Sequence, residues 1–93
     1  MPDQPRQKWR IIIERNARRS MRRLPDPLLA RLTAAVDELA YDPRPSGCLK
    51  LSGHANLWRI RVGDWRILYA IHDDQLIIVI AEVEPRASAY RNR

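Results

Sequence analysis

Apolar positions along this chain follow two rhythms. Between residues 16 and 41 they recur at helical spacing, and from residue 57 they alternate or run together as strands do. Lys8-Trp9-Arg10-Ile11-Ile12-Ile13-Glu14 is aromatic and β-branched and too short for a helix, so it predicts a first strand. Ala17, Met21 and Leu24 stand at i, i+4 and i+7, one stripe of a helix over residues 16–24. Pro25 disfavours helical backbone at Leu24 and ends that element. Asp26-Pro27 predicts a new start, with Asp26 capping the free amides and Pro27 at the first helical position. Leu28, Leu29, Leu32, Ala35, Val36 and Leu39 share one side of this second helix, which runs to the vicinity of Tyr41. The loop Asp42-Pro43-Arg44-Pro45-Ser46-Gly47 follows. Two helices joined by a tight turn form a helical hairpin.

The rest reads as a sheet. Lys50-Leu51 predicts a short strand, residues 52–56 a loop, Leu57 to Val62 a strand, Gly63-Asp64 a two-residue turn and Trp65 to Ile71 the returning strand. His72 to Gln75 is a further turn. Leu76 to Val83 is almost wholly apolar, which predicts a central strand covered on both faces. Residues 1–7 read as a flexible tail and 84–93 as a polar one. The fold class is α+β: an N-terminal strand, a helical hairpin, then an antiparallel meander of three to four strands, with the helices on one sheet face. A chain of 93 residues has room for one such domain, spanning 1–93.

The hairpin at Gly63-Asp64 has a solvable register. A two-residue turn sets Val62 opposite Trp65, Arg61 opposite Arg66, Ile60 opposite Ile67 and Arg59 opposite Leu68. Side chains alternate between faces. One face then carries Trp58, Ile60, Val62, Trp65, Ile67, Tyr69 and Ile71, a core for the helices to cover. The other carries Leu57, Arg59, Arg61, Arg66, Leu68 and Ala70. Like charges directly opposite one another destabilise a sheet. Two things relieve that repulsion: a docked anion such as phosphate, which adds charge-assisted hydrogen bonds, or a carboxylate of the chain itself, for which Glu82 and Glu84 are the candidates. Three arginines on one face favour the anion site.

Charge strengthens this reading. Lysine and arginine total 17 against 11 acidic residues, a net +6, and only Lys8 and Lys50 are lysines. Arginine grips phosphate with a planar fork and stays charged at any working pH. Arginine-rich coding in a GC-rich genome would also give such an excess, so position has to decide. Arg15, Arg18, Arg19, Arg22 and Arg23 line the outer side of the first helix. They suit a sequence-independent grip on RNA phosphates, an acidic protein partner, or plain solvation. The single Cys48 excludes an internal disulfide framework and a zinc site built on cysteine pairs. The chain has no apolar run long enough to span a bilayer and no apolar signal core at its start, so a cytoplasmic protein is expected. His54 and His72 read as turn residues, although either could be a general base near neutral pH, with His54 the better placed, close to the Arg59 strand end. Asp73 and Asp74 read as turn formers, and Trp9, Trp58 and Trp65 as core fillers.

The run RIRVGDWRILY from Arg59 to Tyr69, with Lys50-Leu51-Ser52-Gly53 before it and Arg86…Tyr90-Arg91 after it, resembles the RelE/ParE superfamily of bacterial toxins. The resemblance extends from about Trp9 to Arg91 and includes Leu24-Pro25 and Asp42-Pro43 behind the two helices. It implies a RelE-like fold and the toxin of a type II toxin–antitoxin pair. It further implies an endoribonuclease that cuts mRNA in the ribosomal A site, without metal or cofactor. The partners implied are the ribosome with its mRNA and a cognate antitoxin, in a toxin–antitoxin hetero-oligomer. By motif position Arg59, Arg61, Arg66, Arg86 and Tyr90 are the catalytic candidates. Lys50, Arg18, Arg19, Arg22 and Arg23 are the RNA-binding candidates. The implied reaction is attack of a 2′-hydroxyl on the adjacent phosphorus, with Arg61 and Arg66 clamping the phosphate. Arg59 and Arg86 would orient it or protonate the leaving oxygen, and Tyr90 would stack on a base or move a proton. Trp65 stands where relatives commonly have tyrosine, and Glu84-Pro85 where they often have glycine and a basic residue. ParE-like members share the fold but poison DNA gyrase. That activity, or a decayed member that only binds RNA or antitoxin, is the alternative.

Overall fold

The protein is described by a computed structural model over residues 8–51, 53 and 56–86. Its elements in chain order are β1 (Arg10–Ile13), α1 (Arg15–Arg22), α2 (Asp26–Leu39), β2 (Leu49–Lys50), β3 (Leu57–Val62), β4 (Trp65–His72) and β5 (Ile77–Pro85). The strands form one sheet in the order β1-β5-β4-β3-β2. β5, β4, β3 and β2 are antiparallel neighbours, and β1 joins the far side of β5 in parallel, giving a mixed α+β sheet. None of the described helices is long and apolar enough to cross a membrane.

The helices cover one face only. α1 packs against β5 and α2 against β3. The core joins Ala17, Leu32, Val36 and Leu39 from the helices to Ile60, Ile67, Tyr69, Ile71, Ile78, Ile80 and Val83 from the sheet. The three tryptophans Trp9, Trp58 and Trp65 pack at its margin. The expectation of cover on both faces of the last strand is therefore corrected. β5 is central, but Ile77 and Val79 are only half-buried on the open side.

Several boundaries also shift: the short strand is Leu49–Lys50 rather than Lys50-Leu51, and β5 runs on through Glu84 and Pro85, which the sequence assigns to the tail. Pro25 is the N-cap of α2 in extended backbone, so Asp26 falls inside the first turn and makes no capping hydrogen bond. There its charge still complements the helix dipole. Leu76 lies in the turn before β5, at a φ of 58°, rather than in the strand. The Arg10 amide donates to its carbonyl at 3.0 Å, which ties the turn to β1.

The α2–β2 loop is clamped to the sheet. The buried Tyr69 hydroxyl donates to the Pro43 carbonyl at 2.8 Å. Arg44 donates to both carboxylate oxygens of Asp73, at 3.2 and 2.9 Å, and stacks over Trp58 at 5.0 Å. That hydrogen bond holds Asp73 below the usual carboxylate range, so Asp73 does more than shape its turn. Burial, then the neighbouring Cys48, pushes the Tyr69 hydroxyl well above the ordinary tyrosine range. A phenol whose folded pKa is raised adds stability that is complete below the unfolded pKa of about 10 and lost as pH rises through the folded value. Tyr69→Phe is expected to cost about 1 kcal/mol near neutral pH by leaving the Pro43 carbonyl without its donor. It should also raise resistance to alkaline unfolding relative to that neutral value. Urea melts at neutral and strongly alkaline pH check both signs.

Candidate functional site

The β3–β4 hairpin sets the site. Its register pairs Arg61 with Arg66, Arg59 with Leu68, Ile60 with Ile67 and Val62 with Trp65, as the turn length predicts. Gly63 turns the chain with a φ of 61°, a conformation open to glycine. A Cβ there would lie 3.0 Å from Nη2 of Arg31, which covers the turn from α2. The three arginines thus share the open face. Arg61 is exposed, while Arg59 and Arg66 are half-buried.

β5 brings two carboxylates to the same face. Glu84 is opposite Arg66 and Glu82 opposite Leu68, but Tyr69 is opposite Ile80, so Ala81 is an extra residue. Such a bulge reverses the inward and outward alternation. Ile78, Ile80, Glu82 and Glu84 have the same parity in sequence. A regular strand would bury the glutamates or expose the isoleucines. The bulge buries Ile78 and Ile80 and turns Glu82 and Glu84 toward the arginines. The sequence signal is the break at Ala81, where a continuous apolar run becomes the alternation Glu82-Val83-Glu84.

Glu84 answers the charge crowding at Arg66. Nε donates to its Oε2 at 3.0 Å and Nη2 donates to the same oxygen. The pair is three-quarters shielded from solvent. The carboxylate weighed against an anion in the sequence therefore occupies one of the three arginines. Glu82 is the more exposed of the two glutamates; partial desolvation against the sheet, then the charge and hydrogen bond of Glu84, pushes its carboxyl above the usual range.

Arg86 follows β5. Its amide donates to the Asp64 carbonyl at 2.8 Å, which fixes its backbone beside the hairpin turn, at the end of the sheet that carries Arg61 and Arg66. Pro85, opposite Trp65, is the last residue of the strand. β5 thus runs up to the residue before Arg86.

The remaining candidates lie elsewhere. Lys50 is opposite Trp58, which puts it on the helix-side face rather than with the arginines. Arg18, Arg19, Arg22 and Arg23 are exposed on and just after α1, in the helical layer across the sheet. Arg18 also donates to the Ile13 carbonyl at 3.5 Å. His72 is opposite Ile77 at the far end of β4. Tyr90 and His54 lie outside the described residues.

The comparisons agree with this architecture. The family model for the ParE toxin of type II toxin–antitoxin systems matches residues 6–90. The toxin RelG of Mycobacterium tuberculosis is 34% identical over 81% of this chain and 87% of its own. A RelE1 toxin of Methanocaldococcus jannaschii is 26% identical over 91% of this chain and 98% of its own. The RelBE2 toxin–antitoxin complex of M. tuberculosis contains a chain that superposes with a TM-score of 0.78 at 28% identity, covering 91% of this chain and 99% of that one. With an arginine-bearing open sheet face on a RelE-like fold, the chain belongs to the RelE/ParE superfamily of type II toxin–antitoxin toxins.

Proposed function

We propose that this toxin is a ribosome-dependent endoribonuclease that cuts mRNA in the A site, with the arginine face as its active site. The observation that carries the reading is Arg61 directly opposite Arg66, with Arg59 two residues along and Arg86 anchored beside the turn. Glu84 offsets part of this crowding at Arg66, and among the described residues of β3, β4 and β5 with Arg86 the arginines outnumber the glutamates. Phosphate oxygens gather negative charge as the 2′-hydroxyl attacks, and fixed cations lower the energy of that state without reorganising. Arg61 and Arg66 clamp the phosphate, Arg59 and Arg86 orient it, and Tyr90 stacks on a base or takes part in proton transfer. The ribosome contributes by holding the 2′-hydroxyl in line, a positioning effect that removes much of the barrier.

The α1 arginines serve a second contact in this reading. Arg15–Arg18, Arg15–Arg19, Arg18–Arg22 and Arg19–Arg23 are like-charge pairs at helical spacing, each unfavourable by about 0.2–0.5 kcal/mol. Arg15 and Arg18 also lie near the N-terminal end of α1, against the dipole. A sequence chosen for helix stability alone would avoid both. Arg18, Arg19, Arg22 and Arg23 grip ribosomal RNA phosphates in this account, with Lys50 as a separate edge contact. A cognate antitoxin is the protein partner, supported by the relative solved as a RelBE2 complex.

Gyrase poisoning is the second reading, favoured by a matching family model described by its ParE toxin. Toeprinting on a stalled ribosome–mRNA complex, with gyrase supercoiling assayed in parallel, separates the two. A new mRNA 3′ end within the A-site codon and untouched supercoiling is the expected result. Intact mRNA with blocked supercoiling assigns the chain to the gyrase branch.

A further inference from the structure

We infer that Glu82 is the acid–base group of this site and takes the proton from the attacking 2′-hydroxyl, an inference that rests on the ribonuclease reading above. Phosphate clamping by arginines leaves one chemical need unmet, because a guanidinium that ionises above about 12 is a poor proton acceptor at working pH. Among the described residues, strands β3 to β5 offer two carboxylates on the open face, and they are not equivalent. Both Nε and Nη2 of Arg66 converge on Oε2 of Glu84, which commits that oxygen. Glu82 is the exposed member, one pleat from Glu84 and in line across the sheet with Leu68 and Arg59. His72 is no rival, since six residues of strand put it about 20 Å from Arg66.

The backbone spends a bulge on this placement. Without the extra Ala81, Glu82 would share a face with the buried Ile78 and Ile80. Bulges next to active sites commonly re-aim a side chain in this way. The charged groups around Glu82 are Arg59 and Arg61 on β3, Arg66 on β4, and Glu84 with Arg86 along β5. Glu14 and Arg15 follow β1 on the other side. Partial desolvation, then Glu84, raises its proton affinity, which strengthens it as a base.

The step balances as follows. The 2′-oxygen forms its bond to phosphorus as its proton passes to a Glu82 carboxylate oxygen. The bond from phosphorus to the 5′-oxygen breaks, and that oxygen takes a proton from water. The hydroxide so formed removes the proton from Glu82, restoring the carboxylate and leaving a 2′,3′-cyclic phosphate and a free 5′-hydroxyl.

The test uses the full chain on programmed ribosomes with an empty A site. It measures single-turnover cleavage across acid to mildly alkaline pH, with ribosome co-sedimentation as the binding readout. Wild-type cleavage should fall at acid pH as Glu82 protonates. Glu82→Gln should reduce the rate by about 10²- to 10⁴-fold, the usual contribution of a positioned acid–base group, with co-sedimentation retained and the acid limb gone. Glu82→Asp should restore part of the rate and the limb. Glu84→Gln should move the limb to lower pH by removing the neighbouring charge. A Glu82→Gln rate within a few-fold of wild type, or an unchanged acid limb, overturns the role of Glu82 while leaving the nuclease intact. Wild-type protein that leaves the mRNA whole overturns the nuclease reading itself, and the role of Glu82 with it.

Discussion

Ile80→Ala is expected to destabilise the domain by about 3–5 kcal/mol, a large fraction of the total stability of a domain this small. Ile80 is fully buried on an interior strand, opposite Ile13 on β1 and Tyr69 on β4. Its carbonyl also accepts the Glu14 amide at 2.9 Å, where β1 passes into α1. Truncation removes apolar area from water and leaves a cavity that hydrogen-bonded neighbours on two sides cannot fill. It also takes a β-branched residue out of a strand beside the bulge. A domain of this size has a total stability of about 5–14 kcal/mol, so one substitution consumes a large part of it. Urea denaturation followed by tryptophan fluorescence gives the midpoint shift. A loss below 1 kcal/mol would show that the site collapses easily and that β5 is not the central tie of the sheet.

The elements that were legible in the sequence owe their definition to local chemistry. The hairpin register follows from a two-residue turn headed by glycine. The two helices follow from an apolar stripe interrupted by Leu24-Pro25. What was illegible depends on tertiary choices. The parallel pairing of β1 with β5 joins strands separated by both helices and three other strands, and nothing near Ile11 or Ile78 announces it. An all-apolar β5 suggests cover on two faces, yet the two helices among the described residues both pack on one side.

The site shows the same division. Arg59, Arg61 and Arg66 could be put on one face by counting from Gly63. Glu82 and Glu84 could be named as partners, but their face depends on the bulge at Ala81. In an unbroken strand their parity would place them with the core residues Ile78 and Ile80. Lys50 illustrates the limit of motif position: next to the hairpin motif in the chain, it is opposite Trp58 and faces the other way.

Replacing Arg66 or Arg61 by alanine is expected to lower A-site mRNA cleavage by about 10²- to 10³-fold each, the usual loss when one fixed stabiliser of developing charge is removed. The two variants should differ in stability, which lets catalysis and folding be read apart. Arg61 is exposed, so its loss relieves like-charge repulsion across the β3–β4 pair and leaves the melting midpoint unchanged or slightly raised. Loss of Arg66 strands Glu84 beside Glu82 with no counter-charge from β4, at a cost of about 1–2 kcal/mol for a pair that is mostly shielded. Adding Glu84→Gln to Arg66→Ala should return most of that stability, since the stranded charge is gone, and none of the cleavage, since the clamp is still missing. Non-additive stability with unrestored activity is the signature of an arginine held by a carboxylate at rest and by a phosphate in the reaction. If the double variant regains cleavage together with stability, Arg66 acts on the fold alone, and the phosphate clamp has to be sought among Arg59, Arg61 and Arg86.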